Sequence, residues 1–148
     1  MSCYPDSHET VQKRAAWSSG VLLSYARIIV ADDDADCREL VSAALHAPGN
    51  EILFATNGGE LLDLVAEHDD FDLIITDINM PWMEGLQVLA SIRSAGLRTP
   101  VLVITGLTRP DLPAAIARMG NAGLLHKPIA IADLRGAIAE LLVGEAVT

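Results

Sequence analysis

Five short apolar runs divide the chain from residue 27 onward, and several are nearly continuous in valine, isoleucine and leucine rather than alternating. Strands that are buried on both faces of a parallel sheet have this pattern. The runs predict five strands, at residues 27–31, 51–55, 71–77, 99–105 and 123–126.

Apolar residues at helical spacing lie between and after these runs, and they predict helices around residues 40–45, 61–65, 86–92 and 134–142. A further helix is expected before the fifth strand. Since Pro110 and Pro113 are tolerated only in the first turn of a helix, this one should begin late, near Asp111, after a long loop. Strands that alternate with helices indicate an α/β fold, a (βα)5 doubly wound parallel five-stranded sheet with right-handed crossovers.

The first 26 residues are polar and irregular and differ from the rest. We interpret residues 1–26 as a partly disordered N-terminal extension with a short helix around residues 9–17, and residues 27–148 as one domain. Lys13 and Arg14 precede a mildly apolar stretch, as in a signal peptide, but Ser-Ser-Gly at residues 18–20 interrupts the pattern. Cleavage near Ala26 would also cut at the edge of the first strand, so we favour the extension.

Composition and charge restrict the function. The chain is 51% hydrophobic and 20% charged, enough to bury a core, and its formal net charge is −10. Such a surface repels phosphate backbones, so no direct nucleic-acid role is expected, and no apolar run reaches transmembrane length. Cys3 and Cys37 form no metal-site or disulfide pattern, which favours the cytoplasm. Cys37 lies near Leu40 and Val41 on an apolar helix stripe, as a small buried hydrophobic residue.

Acidic side chains follow two of the predicted strands. Asp32, Asp33 and Asp34 come directly after the first strand, and Asp77 ends the third. In the flavodoxin-like strand order 2-1-3-4-5, these two strand ends meet at the switch point where ligands bind. Carboxylates crowded together repel one another, and a hard cation with oxygen ligands, such as Mg²⁺, would relieve that repulsion.

Two further strand ends carry polar groups suited to phosphoryl transfer. Thr105 ends the fourth strand beside Gly106, which leaves room for a ligand, and Lys127, one of only two lysines, ends the fifth. Each residue has an ordinary alternative: a helix N-cap for Asp34 or Asp36, strand propensity for the threonine, a solvated charge for the lysine. Their coincidence at one end of one sheet favours a functional site.

Four motifs carry a resemblance to a known family. They are Ile28-Ile29-Val30-Ala31-Asp32-Asp33-Asp34, Asp72-Leu73-Ile74-Ile75-Thr76-Asp77-Ile78-Asn79-Met80-Pro81, Pro100-Val101-Leu102-Val103-Ile104-Thr105-Gly106 and His126-Lys127-Pro128. With them, about residues 27–143 resemble the receiver domains of bacterial two-component response regulators, which include the single-domain chemotaxis regulator. The strand order 2-1-3-4-5 is part of this resemblance.

The resemblance implies an acceptor and a metal site. Asp77 looks like the phosphoryl acceptor. Asp32 and Asp33 look like the acidic pair that holds a divalent metal, Mg²⁺ or Mn²⁺, directly or through water. Asp77 itself and the backbone carbonyl of Asn79 would complete the metal ligands.

The resemblance also implies a switch and a function. Thr105 looks like the hydroxyl that responds to phosphorylation, and Lys127 like the phosphate-pairing lysine, before a cis peptide bond to Pro128. The chain would be a phospho-accepting response regulator in a two-component or phosphorelay system, served by a sensor histidine kinase or a histidine phosphotransfer protein. It would contact an unidentified downstream protein, with a phosphorylation-dependent homodimer left open. It would be a signalling protein rather than an enzyme with a separate substrate.

Two positions near the site bear on how it would switch or bind partners. Leu124, three residues before Lys127, stands where tyrosine or phenylalanine is usual in the family, so no aromatic ring can accompany movement of the threonine. Either the loop at residues 106–111 moves instead, or the protein relays phosphate with little switching. Trp82, just after Asp77, is interpreted as a partly buried loop anchor rather than a dedicated partner contact.

Two other functions were weighed. A phosphohydrolase of the haloacid-dehalogenase type also places Asp-x-Asp after its first strand, which Asp32 and Asp34 fit. Against it, Asp36 stands where threonine or valine is usual, and the chain lacks a cap domain and a later acidic pair beyond Lys127. The other is a degenerate receiver used only for docking, against which the complete set of site residues argues.

Overall fold

A computed structural model describes residues 25–68, 70–80, 85–106 and 108–147. Within them, strands and helices alternate: β1 Arg27–Ala31, α1 Ala35–Ala44, β2 Glu51–Ala55, α2 Gly58–Glu67, β3 Leu73–Thr76, α3 Gly85–Ser94, β4 Val101–Thr105, α4 Leu112–Met119, β5 Ala122–His126 and α5 Ile131–Val147. The strands are parallel, in the order β2-β1-β3-β4-β5, which confirms the predicted fold. The short helix predicted in the extension and Trp82 lie outside the described residues. No helix in the described part of the chain could cross a bilayer.

Local chemistry explains where the elements begin. β4 starts at Val101 rather than at residue 99 because Pro100 has no N–H to donate, although its carbonyl accepts the amide of Ile74 at 2.9 Å. α4 starts at Leu112, directly after Asp111, and has Pro113 in its first turn, which confirms the late start. β3 is shorter than its apolar run, and β5 begins one residue earlier than predicted.

The sheet separates two apolar clusters, one on each face. Successive strand residues point to opposite faces. Ile29 therefore packs with α2, α3 and α4 in what we call the α2–α4 cluster, whereas Ile28 and Val30 pack with α1 and α5 in the α1–α5 cluster. β1, β3 and β4 are buried on both faces, as the continuous apolar runs predicted.

Contacts with the fold begin before Arg27. Ala26 is fully buried and its N–H donates to Oδ1 of Asn50 at 2.9 Å, while the N–H of Tyr25 donates to the carbonyl of Pro48 at 3.1 Å. The change in sequence pattern at residue 27 had indicated that both residues belong to the extension. The loop before β2 supplies their hydrogen-bond partners, which the apolar pattern does not reveal.

Candidate functional site

Asp32, Asp77 and Lys127 meet at the carboxyl end of the sheet, where the strands finish. Each lies one residue past its strand, and its amide still donates to a carbonyl of the neighbouring strand at 2.8–3.0 Å. The side chains of all three residues therefore continue the alternation between the two faces of the sheet that their strands show. Their side chains lie on the same side of the sheet as Val30 and Ile75, the side of the α1–α5 cluster.

Three carboxylates form the centre of the site. Asp32 and Asp77 are buried, with 2% and 5% of their surface exposed, whereas Asp33 is exposed. One carboxylate oxygen from each residue lies within 4.8 Å of the others. Burial of charges this close together is costly unless cations compensate them.

Lys127 supplies one such cation. Its Nζ lies 2.9 Å from Oδ2 of Asp32 and 2.8 Å from Oδ2 of Asp77. Partial burial favours loss of the ammonium proton, but the hydrogen bonds to Asp77 and Asp32 outweigh it and raise the pKa of Lys127 above its ordinary value. One ammonium against three carboxylates leaves an excess of two negative charges at this point.

The chain just after β3 fixes the carboxylate of Asp77. The N–H of Asn79 donates to Oδ1 of Asp77 at 2.9 Å, and the hydroxyl of Thr76 donates to the Asp77 carbonyl at 2.9 Å. With Lys127 on Oδ2, both carboxylate oxygens have a donor. Asn79 is exposed beside this group.

The start of α1 fixes Asp32. The N–H of Asp34 donates to Oδ1 of Asp32 at 2.9 Å, and Nη1 of Arg38 donates to the Asp32 carbonyl at 2.6 Å. The carboxylate of Asp34 accepts the N–H of Asp36 at 3.0 Å and caps α1, which confirms the N-cap alternative for Asp34. Asp34 is exposed, and its carboxylate caps α1. This counts against the phosphohydrolase hypothesis, which requires Asp34 as the second aspartate of its Asp-x-Asp motif.

Cys37 is less buried than its position on an apolar helix stripe predicted, and it has a charged neighbour. Its side chain packs against the α1–α5 cluster, as expected, but it is only partly buried and lies near Asp32. Burial, followed by the neighbouring Asp32, raises the pKa of the thiol to about 12. The spacing in the sequence could have indicated that Cys37 and Asp32 are neighbours. A helix that starts three residues after Asp32 has its first turn over the end of β1.

Thr105 ends β4 on the other side of the sheet. It is fully buried, and strand alternation places it with Val103 on the side of the α2–α4 cluster. A side-chain carbon added at the exposed Gly106 would meet nothing within 4 Å, so the chain just after Thr105 is uncrowded on that side.

The end of β5 places His126 and Lys127 in different surroundings and carries the cis peptide bond that the resemblance implies. His126 is exposed, whereas Lys127 contacts the carboxylates, and the Lys127–Pro128 peptide bond is cis. Leu124 is partly buried against the α2–α4 cluster.

The donor set suits a hard divalent cation. The converging side chains offer carboxylate oxygens, and the backbone carbonyl of Asn79 belongs to the same short segment as Asp77. Mg²⁺ and Mn²⁺ prefer such oxygen ligands. The site could therefore hold a cation beside the carboxylate of Asp77, whose oxygens have lone pairs available for attack on an electrophile.

Comparisons of this chain with known proteins all find response regulators or their receiver domains. A family model for the response regulator receiver domain matches residues 28–139. The sensory/regulatory protein RpfC of Xanthomonas campestris pv. campestris is 34% identical over 121 residues, which cover 79% of this chain and 16% of RpfC. The response regulator MprA of Mycolicibacterium vanbaalenii is 35% identical over 116 residues, which cover 78% of this chain and 50% of MprA. The chain thus spans half or less of the length of these relatives.

A solved structure agrees with these sequence matches. The chemotaxis protein CheY4 of Vibrio cholerae superposes with a TM-score of 0.69 at 30% identity, over 78% of this chain and 98% of CheY4.

Proposed function

This chain belongs to the response-regulator receiver family, and from that premise we propose that Asp77 is its phosphoryl acceptor. The observation that carries the proposal is the position of Asp77. It is a buried carboxylate at the carboxyl end of the sheet, next to Asp32 and in contact with Lys127. Carboxylates in such a setting are nucleophiles in phosphoryl transfer.

In the proposed reaction, a carboxylate oxygen of Asp77 attacks the phosphorus of a phosphohistidine. The new O–P bond forms as the P–N bond breaks, and the electron pair of that bond stays on the ring nitrogen of the donor. The other ring nitrogen carries a proton, so the donor histidine leaves as a neutral imidazole. The Asn79 amide and Lys127 orient the two oxygens of Asp77, and each oxygen keeps a second lone pair for the attack. As negative charge shifts to the phosphoryl oxygens, the Lys127 ammonium follows it. The Thr105 hydroxyl, on the other face of the sheet, would have to turn around the end of β4 to donate to one of these oxygens.

Receiver domains bind Mg²⁺ at acidic residues, and we assign that role here to Asp32, Asp33, Asp77 and the carbonyl of Asn79, with Mn²⁺ as a substitute. When bound, the cation would neutralise charge on the phosphoryl oxygens. The excess negative charge of the three carboxylates supports this assignment.

The partners follow from the proposed chemistry. The phosphoryl donor would be a sensor histidine kinase or a histidine phosphotransfer protein in the cytoplasm. The net charge of −10 favours output through contact with a downstream protein rather than with nucleic acid. A homodimer that forms on phosphorylation stays a prediction. The protein would catalyse only its own phosphorylation and dephosphorylation.

The test is phosphorylation by a small donor. Incubation with acetyl phosphate and Mg²⁺ should add one phosphoryl group, measured by intact-protein mass spectrometry. Asp77→Asn removes the negatively charged oxygen and should abolish the gain. Asp70→Asn, which neutralises an exposed aspartate at the opposite end of the sheet, is the control and should label normally. Labelling of Asp77→Asn at the wild-type rate would refute the assignment.

A further inference from the structure

We propose that the outer edge of β2 is covered by the extension of this same chain, through residues 10–24, which we call the basic segment. The structure describes the chain from Tyr25 onward, so these residues come directly before the described part. The edge of β2 lies outside the proposed phosphorylation site, and the inference does not rest on that site.

The backbone of β2 is paired on one side only. Within the described part of the chain, β2 is an edge strand and β1 is its single neighbour in the sheet. The Glu51 amide donates to a carbonyl just before β1 at 2.8 Å, and the Ala55 carbonyl accepts an amide just after β1 at 3.0 Å. In a parallel pair, alternate residues bond to the same neighbour, so the amides and carbonyls of Ile52 and Phe54 point outward.

The side chains along this edge leave it open to an added strand. Phe54 is 47% exposed although it is large and apolar, and Ile52, on the same face, is only partly buried against the α1–α5 cluster. β2 contains neither the lysine nor the proline that often protects an edge strand. A segment that adds as a strand would satisfy the outward backbone groups and cover the Phe54 ring.

The charge around β2 restricts what can occupy its edge. Residues 25–80 contain thirteen acidic side chains and two basic ones. The exposed Glu60, Asp63 and Glu67 line one side of α2, the helix that follows β2. Two copies of the chain that paired through β2 would bring these charges together, so repulsion opposes that arrangement. The charge therefore favours a basic occupant.

The basic segment has the complementary composition. It contains Lys13 and Arg14 and no acidic residue. It also contains Trp17 and an apolar run at residues 21–23, which can pack against the exposed ring of Phe54. One segment of this chain thus offers positive charge to the acidic half of the fold and apolar surface to the edge of β2.

The chain enters the fold next to the loop that leads into β2. The Tyr25 amide donates to the Pro48 carbonyl at 3.1 Å, and the Tyr25 ring lies so close to Gly49 that a side-chain carbon there would clash with it. An added strand would lie about 10 Å from β1, two strand spacings away, and three extended residues cover about that distance. Residues 22–24 can therefore make the crossing, and the residues before them run antiparallel to β2.

Amide exchange measured by NMR on the full chain tests the proposal at single residues. The amides of Ile52 and Phe54 should exchange about tenfold more slowly in wild type than in Lys13→Glu/Arg14→Glu, in which the acidic half repels the segment. The Leu53 amide bonds to β1 in either case, so its exchange should not change. Lys13→Arg/Arg14→Lys keeps both charges and is the matched control, with wild-type exchange expected.

A spin label identifies the segment that lies at the edge. Ser19→Cys, in a chain that also carries Cys3→Ser and Cys37→Ser, places a nitroxide within the basic segment. The nitroxide should broaden the signals of the two outward amides of β2. It should leave unchanged the outward amides of β5, the strand at the opposite edge of the sheet.

The outcomes decide between the extension and other occupants. Slow exchange at Ile52 and Phe54, together with broadening by the label, would support the proposal. Fast exchange at both amides in wild type, or no broadening, would overturn it. Slow exchange that rises with protein concentration and persists in Lys13→Glu/Arg14→Glu would also overturn it, because a second copy would then cover the edge. Equal loss of protection in Lys13→Arg/Arg14→Lys would contradict the role of charge.

Discussion

At each end of the sheet, a basic side chain lies between two carboxylates, but the two ends differ in how much water reaches these acids. At the amino end, Arg27 bonds to Glu51 at 3.2 Å and to Asp70, and its guanidinium lies 5.0 Å from the centre of the Phe71 ring. The side chains of Glu51 and Asp70 are 57% and 54% exposed.

At the carboxyl end, Lys127 bonds to Asp32 and Asp77, whose side chains are only 4% and 6% exposed. The two cations themselves are equally exposed, at 23% for both Arg27 and Lys127. Water therefore solvates the acids of the amino end, whereas the buried acids of the carboxyl end depend on Lys127 and on any further cation. The two ends therefore differ in solvent access to the acids and not in the number of ion pairs, and the end with buried acids is the one where we propose the site.

The sharpest test of the comparison removes each cation in turn. Lys127→Met leaves two buried carboxylates without their ammonium and should lower the free energy of unfolding by about 3 kcal/mol in metal-free buffer. Arg27→Met leaves exposed carboxylates and should cost about 1 kcal/mol. Urea denaturation in the presence of EDTA measures both. Equal losses would show that the two ends do not differ as we argue.

The next effect is stabilisation by metal at one end only. Mg²⁺ at about ten times its Kd should raise the free energy of unfolding by about 1.4 kcal/mol. Asp33→Ala should lose most of this gain and weaken Mg²⁺ binding more than any single change outside the site. Asp70→Ala, at the amino end, should retain the full gain. Urea denaturation with and without MgCl₂ gives the comparison, and a full gain in Asp33→Ala would mean that the ligand set is wrong.

Much of this site was predictable because it depends on local patterns. Continuous apolar runs predicted the inner strands, and Asp32, Asp77 and Lys127 each directly follow a strand whose end the pattern located. The strand order that brings them together came from the family resemblance rather than from the apolar pattern.

What the sequence did not reveal depends on how elements lie against one another. The nearness of Cys37 to Asp32 depends on how the first turn of α1 lies over β1, and apolar periodicity described Cys37 only as a core residue. In the same way, Ala26 appeared to belong to the extension because its partner, Asn50, is 24 residues away.

Amide exchange should also distinguish the two ends. Addition of beryllofluoride, a phosphoryl mimic, should change protection at the carboxyl end. Because Leu124 cannot act as an aromatic switch, we expect the changes to reach residue 106 and residues 108–118. The amino end, around residues 25–27 and 70–72, should not change. Changes confined to the site residues would instead favour a relay that passes phosphate on with little movement.

The smallest effect is a pH dependence at the carboxyl end. The pKa of Cys37 is raised from 9.0 to about 12, so the folded protein keeps the thiol proton over a range in which the unfolded chain loses it. Its contribution to stability is therefore complete below pH 9.0 and is lost as the pH rises toward about 12. In a Cys3→Ser background with EDTA, the ultraviolet absorbance of the thiolate should rise at a higher pH than it does for an exposed cysteine.

A thiol at the amino end provides the matched control. Glu51→Cys, in a chain that also carries Cys3→Ser and Cys37→Ser, places the thiol at an exposed position beside Arg27, and it should ionise at or below the ordinary pKa of a thiol. Ionisation of Cys37 at the same pH as this control would contradict a pKa raised by partial burial and by the neighbouring Asp32.

The position of Thr105 has a genetic consequence. A single layer of strands stands between the two clusters, so substitutions at Val88 on one face and Ile138 on the other should add in free energy to within about 0.5 kcal/mol. Thr105 lies on the face of Val88, whereas Asp32, Asp77 and Lys127 lie on the other. Selection for second-site suppressors of a weakened Asp77 site should therefore yield mutations on both faces, and those on the α2–α4 face should gather around Thr105.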